Sequence, residues 1–276
     1  MLSVLIPANN EEAQITACLQ AVMVSELLTG VERPEIIVMA NGCTDSTVAI
    51  AHDLVDRADA NGWDLRVLDI PDGGKLNALN QGDNAASFGS RVYLDADVTV
   101  TPLLIGQLAA VLDQAAPIYA SGTLVISDCT TWISRAYRRI YVQVPFITHG
   151  VPGCGLFAVN AAGRKRWGAF PDIISDDTFV RLQFAGNERV AVAARYKWPI
   201  VEGFANLVKV RRRQDKGVAE IAKLYPELLE NDDKPRFGLN RALKMACCDP
   251  IGFSVYTAVA LATRLNRNTD DWSRGR

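Results

Sequence analysis

Arg91-Val92-Tyr93-Leu94-Asp95-Ala96-Asp97 is a short β-rich run that stops on two carboxylates two residues apart. In an open α/β sheet, ligands bind outside the carboxyl ends of the strands. The run therefore predicts a strand over 91–94 with Asp95 and Asp97 at a binding edge. Mg²⁺ and Mn²⁺ draw one or two carboxylates from a protein and complete their shell with water and substrate phosphates. The pattern points to a metal–diphosphate site rather than a metal caged entirely by protein. A lone D-x-D triplet is common in solvated loops, so the decision rests on its surroundings.

Upstream, β-rich and helix-periodic runs alternate. Residues 3–7, 35–39 and 65–70 read as strands, and 11–28, 47–60 and 75–86 as helices, with Val48, Ala51, Leu54, Val55 and Ala58 at helical spacing. After Asp97, Thr101-Pro102 signals a helix start, and the pattern runs to about residue 114. This alternation predicts an α/β fold with a doubly wound, mostly parallel sheet. Downstream, 118–127, 155–159 and 190–194 read as strands and 131–144 and 177–185 as helices. Beyond about 204 the chain is mostly helical, divided by Pro226, Pro235 and Pro250. The expected organisation is one continuous domain over 1–215 with a helical C-terminal extension, 216–276, packed on it or at an interface.

The 276 residues leave ample length for a buried core. With 49% hydrophobic and 22% charged residues the composition is globular. A net charge of −2 gives no basic footprint for nucleic acid, which is not expected as a partner. The six cysteines form no C-x-x-C pair and predict buried, reduced thiols in a cytosolic protein. Residues 2–6 read as a first strand rather than a signal peptide. The apolar stretch 251–265 is too short and too interrupted to span a bilayer. A cytoplasmic place is expected, with the inner face of the membrane as the alternative if residues 236–265 form an amphipathic surface.

Three further loops follow the first three strands. Pro7-Ala8-Asn9-Asn10-Glu11-Glu12 ends a strand and opens a helix, whose first amides favour anionic or polar ligands; Glu12 by itself reads first as an acidic first-turn residue of that helix. In Ala40-Asn41-Gly42-Cys43-Thr44-Asp45, the Asn41 amide matches the donor–acceptor edge of a base. Gly73-Gly74-Lys75 brings amides and one ammonium toward a phosphate, without P-loop spacing.

In order and spacing, these four loops resemble the GT-A glycosyltransferases of family 2 over residues 2–215. The resemblance implies an inverting transfer from a nucleotide-diphospho-sugar, with uridine as the expected base, to a saccharide, lipid-linked or small-molecule acceptor, in polysaccharide or glycoconjugate biosynthesis. Mn²⁺ or Mg²⁺ would be held by Asp97, with Asp95 on ribose or metal. Pro7, Ala8, Asn10, Glu12, Asn41, Lys75, Asp95, Ala96 and Asp97 would line the donor. Pro152-Gly153-Cys154-Gly155 resembles the acceptor loop, which brings in Gly155. Ser175-Asp176-Asp177 resembles the acidic pair that opens a helix, which makes Asp177 the general base beside Asp176. The Arg211–Arg213 run stands where relatives carry Q-x-x-R-W near the diphosphate, which brings in Arg212, although the Trp and the spacing differ.

The residues suit that chemistry in their own right. One carboxylate can deprotonate an attacking hydroxyl, and cations can receive a departing diphosphate. No G-x-S-x-G elbow is present. Two other readings stay open: a nucleotidyltransferase, against which the acidic first loop speaks, and a non-catalytic nucleotide-sugar-binding protein. A dinucleotide dehydrogenase lacks its G-x-G-x-x-G after the first strand.

Overall fold

The computed structural model of the protein describes residues 1–26, 33–235 and 237–265. The element order is β1 (Leu2–Ala8), α1 (Ile15–Met23), β2 (Glu35–Asn41), α2 (Thr47–His52), α3 (Val55–Ala60), β3 (Asp64–Ile70), α4 (Lys75–Ala85), β4 (Ser90–Leu94), β5 (Thr99–Val100), α5 (Leu104–Leu112), β6 (Tyr119–Ile126), α6 (Trp132–Tyr141), α7 (Pro145–Thr148), β7 (Leu156–Val159), α8 (Ala161–Arg164), α9 (Asp176–Leu182), β8 (Arg189–Trp198), α10 (Phe204–Leu224), α11 (Leu239–Cys248) and α12 (Pro250–Leu265). Eight strands form one sheet in the order β3-β2-β1-β4-β7-β6-β8-β5.

The β1–β2, β2–β3, β1–β4 and β6–β8 pairs are parallel; β7 joins β4 and β6 antiparallel, and β5 joins β8 antiparallel. Strands covered on both faces read as nearly continuous apolar runs. In β1, Leu2, Val4, Ile6 and Ala8 pack into one core and Leu5 into the other; in β2, Ile36 and Val38 oppose Ile37 and Met39. The fold is thus the expected α/β type. Because β1, β2 and β4 are parallel neighbours, their carboxyl ends bring Pro7, Asn41 and Asp95 to one edge.

Several boundaries differ from the sequence reading. Residues 11–14 form turns before α1, because Glu11 NH donates to the Thr47 hydroxyl oxygen (2.7 Å) and Glu12 NH donates to Asp45 (3.1 Å). The helix expected over 47–60 is broken into α2 and α3 around Asp53-Leu54. The two-residue β5 and the one-turn helices α7 and α8 carry too little periodicity to be seen in sequence. The last residues of the helix expected over 11–28, and 266–276 of the C-terminal extension, lie outside the described residues.

The division at 215 falls inside the 21-residue α10, which continues unbroken. The C-terminal helices share a third core with α6: Tyr137, Tyr141, Val144, Leu207, Val208 and Val259 pack together. All six cysteines are free, but Cys247 and Cys248 are exposed rather than buried. Among the described residues no helix is long and apolar enough to cross a membrane.

Candidate active site

A cleft of about 360 Å³ opens at the carboxyl edge of the sheet. Its inner wall comes from Pro7, Lys75, Asp95, Gly155 and the α9 start, Ser175–Thr178; its outer wall comes from Tyr137, Phe146, Arg211, Lys234, Phe237 and Tyr256.

Lys75 is the link between two parts of the chain. As the first residue of α4, it places its ammonium 2.9 Å from Asp95 Oδ1 and 3.0 Å from Asp176 Oδ2. Burial alone would push this ammonium down, but Asp176 and Asp95 hold it well above its ordinary value. The strand-end acid and the α9 acids, 81 residues apart from Asp95 to Asp176, are therefore fastened at one point by a cation that stays charged. Asp177 follows Asp176 in the first turn of α9 and accepts the Thr178 amide (2.6 Å). Burial, and then the neighbouring Asp176 charge, push its carboxyl above the usual range, against the pull of Lys75. A carboxylate raised in this way is a better proton acceptor near neutral pH.

Backbone conformation sets the positions of these groups. Gly155 has φ +69°, and its carbonyl receives the Asp95 amide (2.8 Å). A Cβ there would stand 2.7 Å from Trp198 and 2.8 Å from Val98, so a side chain would force these neighbours apart. Gly42, at φ +55°, lies so close to the Gly73 backbone that a Cβ would sit at 2.9 Å. The two loops can approach because both are glycine there.

Asn41 differs from the sequence reading. Its side chain is 1% exposed; it donates to the carbonyls of Ala8 (2.9 Å) and Met39 (3.2 Å) and accepts the Gly74 amide (3.0 Å). The amide that matches a base edge is spent joining three loops. Ala8 and Ala96 have their methyl groups in the core. Asn10, at φ +55°, accepts the Thr44 amide (2.8 Å), and Glu12 accepts the Ser46 amide (3.1 Å); both fasten the first loop to the second. Arg211 and Arg213 line the cleft and Arg212 does not, because adjacent helical residues point about 100° apart. Arg211 reaches the Tyr137 hydroxyl (3.5 Å) and lies 4.8 Å over the Tyr256 ring.

Asp95 and Asp97 offer hard oxygen donors at the mouth of β4. Among the described residues no group of three or more His, Cys, Asp or Glu converges to hold a metal. The donor set fits a hard cation that takes its remaining ligands from a substrate.

Sequence reasoning missed Lys234. It lines the cleft 4.7 Å from the Phe146 ring, and burial, then the Arg181 charge, push its ammonium below its ordinary value. The adjoining Asp232 and Asp233 hold the buried Arg181 (2.6 and 3.1 Å), and Asp233 also holds Arg189 (2.7 Å). No local motif announces this clamp; the acidic doublet in 232–233 is its only trace.

The family model for Glycosyl transferase family 2 matches residues 3–166. The chain belongs to this family. It is a glycosyltransferase, and the matched span contains Pro7, Lys75, Asp95, Asp97 and Gly155, while Asp176 and Asp177 lie beyond it. No curated protein matches the sequence. Solved glycosyltransferase structures share the fold. A mannosyltransferase, PcManGT from Pyrobaculum calidifontis, in complex with GDP-Man and Mn²⁺, has a TM-score of 0.59 at 16% identity, covering 96% of this chain and 75% of that one. S. aureus TarS 1-349 in complex with UDP has a TM-score of 0.53 at 14% identity, covering 100% of this chain and 95% of that one. The same TarS fragment with UDP-GlcNAc gives 0.53, again at 14% identity with 100% and 95% covered. At these identities the likeness is one of fold, GT-A in type.

Proposed function

We propose that this family 2 enzyme transfers a sugar, with inversion, from a nucleotide-diphospho-sugar to an acceptor hydroxyl in this cleft. The observation that carries the reading is the Asp95–Lys75–Asp176 bridge. It draws the strand-end Asp95, next but one to Asp97, and a helix-start acid pair suited to proton transfer into one cavity. The fold relatives bound to GDP-Man with Mn²⁺, to UDP and to UDP-GlcNAc support a donor of this class.

In the proposed chemistry, Asp177 accepts the proton of the acceptor hydroxyl. The acceptor oxygen bonds to the anomeric carbon as the bond from that carbon to the phosphate oxygen breaks, and the diphosphate leaves with the electron pair. Attack from the face opposite the leaving group inverts the anomeric centre. Lys75 keeps its charge beside both acid pairs and steadies Asp176. Mn²⁺ or Mg²⁺ would be held by Asp97 with Asp95, supplying charge neutralisation to the leaving diphosphate. Gly155 fixes Asp95, and Pro7 packs the donor side. With Asn41 committed to the loops, the nucleoside is identified by binding.

The test uses UDP, GDP, CDP, TDP and ADP in thermal shift, with and without Mn²⁺, on wild type, Asp97→Ala and Asp177→Asn. One diphosphate should give a Mn²⁺-dependent shift that Asp97→Ala loses and Asp177→Asn keeps. Transfer from the matching sugar nucleotide should fall by about 10²–10⁴-fold in Asp177→Asn, the usual contribution of a general base. Full transfer by Asp177→Asn removes it from the mechanism, and no shift with any diphosphate removes the donor site.

A further inference from the structure

The last two helices turn an apolar and basic face outward. On α11, Leu239 and Leu243, one turn apart, are 82% and 64% exposed, with exposed Lys244 beside them. On α12, Ile251 and Leu265 are 63% and 86% exposed, and Ala258 and Leu261 lie exposed between them. The α12 residues recur on the side opposite its buried Gly252, Val259 and Thr263. Single exposed apolar residues are ordinary, but a stripe at helical spacing on two consecutive helices is an interaction surface.

Charge identifies what it meets. On these two helices Lys244 and Arg264 are exposed and Arg241 half-buried, against one acid between them, Asp249, in a chain whose net charge is −2. An apolar stripe flanked by cations within an otherwise acidic protein complements an anionic bilayer surface. The face also continues into the cleft: Phe237, exposed just before α11, and Tyr256, on α12, both line it.

We propose that α11 and α12 dock the enzyme peripherally on anionic phospholipid, with the outer wall of the cleft turned toward the headgroups. The helices lie on the surface; among the described residues no helix is long and apolar enough to cross it. The docking deepens the glycosyltransferase reading by presenting the acceptor from the membrane, but its test involves no turnover.

The full chain is sedimented with phosphatidylcholine vesicles, alone or with about 30% phosphatidylglycerol, at roughly 0.1 M and roughly 0.5 M salt. Wild type should partition onto the anionic vesicles at least about tenfold more than onto the neutral ones, and less at high salt. Leu239→Glu/Leu243→Glu, at exposed positions, should lose about tenfold in partitioning while keeping the wild-type melting temperature and diphosphate shift. Leu261→Glu should repeat the loss from the other helix. Failure of wild type to pellet, or equal pelleting by the variants, overturns the proposal. A dimer in light scattering without vesicles, dissolved by Leu239→Glu/Leu243→Glu, also overturns it by assigning the face to a second copy. Vesicle binding without any diphosphate shift would sink the donor site and leave the docking standing.

Discussion

Replacing Asn41 with alanine separates a loop-fastening residue from a base reader. The substitution strips the Gly74 amide of its acceptor and the Ala8 and Met39 carbonyls of a donor, at a site 1% exposed. A buried polar group left unsatisfied costs about 1–3 kcal/mol. The Met39 carbonyl lies inside strand β2 and Ala8 at the end of β1, so we count two groups, Gly74 NH and Ala8 C=O, for a total of about 2–6 kcal/mol. At about 2–4 °C per kcal/mol for a protein of this size, the melting temperature should fall by about 4–24 °C. Differential scanning fluorimetry reads that fall, and titration with UDP and GDP reads the base preference. The ratio of the two affinities should match wild type, because the amide faces protein rather than ligand. Asn41→Asp should also melt early, since its carboxylate would face two carbonyls. A wild-type melting temperature combined with a changed UDP-to-GDP ratio would refute the reasoning and return Asn41 to the base.

Gly155→Ala combines left-handed strain with contacts of 2.7 and 2.8 Å, whereas Gly62→Ala, at φ +80° with nothing within 4 Å, meets strain alone. The first should therefore lose about 2–5 kcal/mol and the second about 1–2 kcal/mol, and equal losses by thermal melting would show that packing around Trp198 does not constrain Asp95. Transfer should rise with pH as Asp177 ionises, because a general base acts in its charged form. Lys75 favours that charged form, so Lys75→Met should move the acidic limb of the kcat/KM profile to higher pH; an unmoved limb would detach Lys75 from Asp177.

The sequence was most legible where function depends on chain order. The Asp95-Ala96-Asp97 triplet after a β run, Gly-Gly-Lys at a helix start and the Asp176-Asp177 pair are each written in consecutive residues, and periodicity placed the strands and helices that carry them. Fine boundaries were less legible. The break at Asp53-Leu54 interrupts no apolar spacing, and α7 and α8 are single turns. Asn41 illustrates the limit: its residue type suits a base edge and a loop junction equally, and only the neighbouring Ala8 and Gly74, brought in from other loops, decide between them.

Local sequence by itself determined the alternating α/β order, the loops at the strand ends and the family, because each rests on residue types at short spacing. Tertiary structure alone decided which groups face one another. Lys75 joins Asp95 to Asp176 because parallel pairing of β1, β2 and β4 carries their ends to one edge, and β7 returns antiparallel to place Gly155 against Asp95. The outer cleft wall, with Lys234 and Tyr256, exists because α12 packs on α6 and α10, far along the chain. Long-range packing of this kind depends on complementary surfaces meeting in space, and no spacing along the chain encodes it.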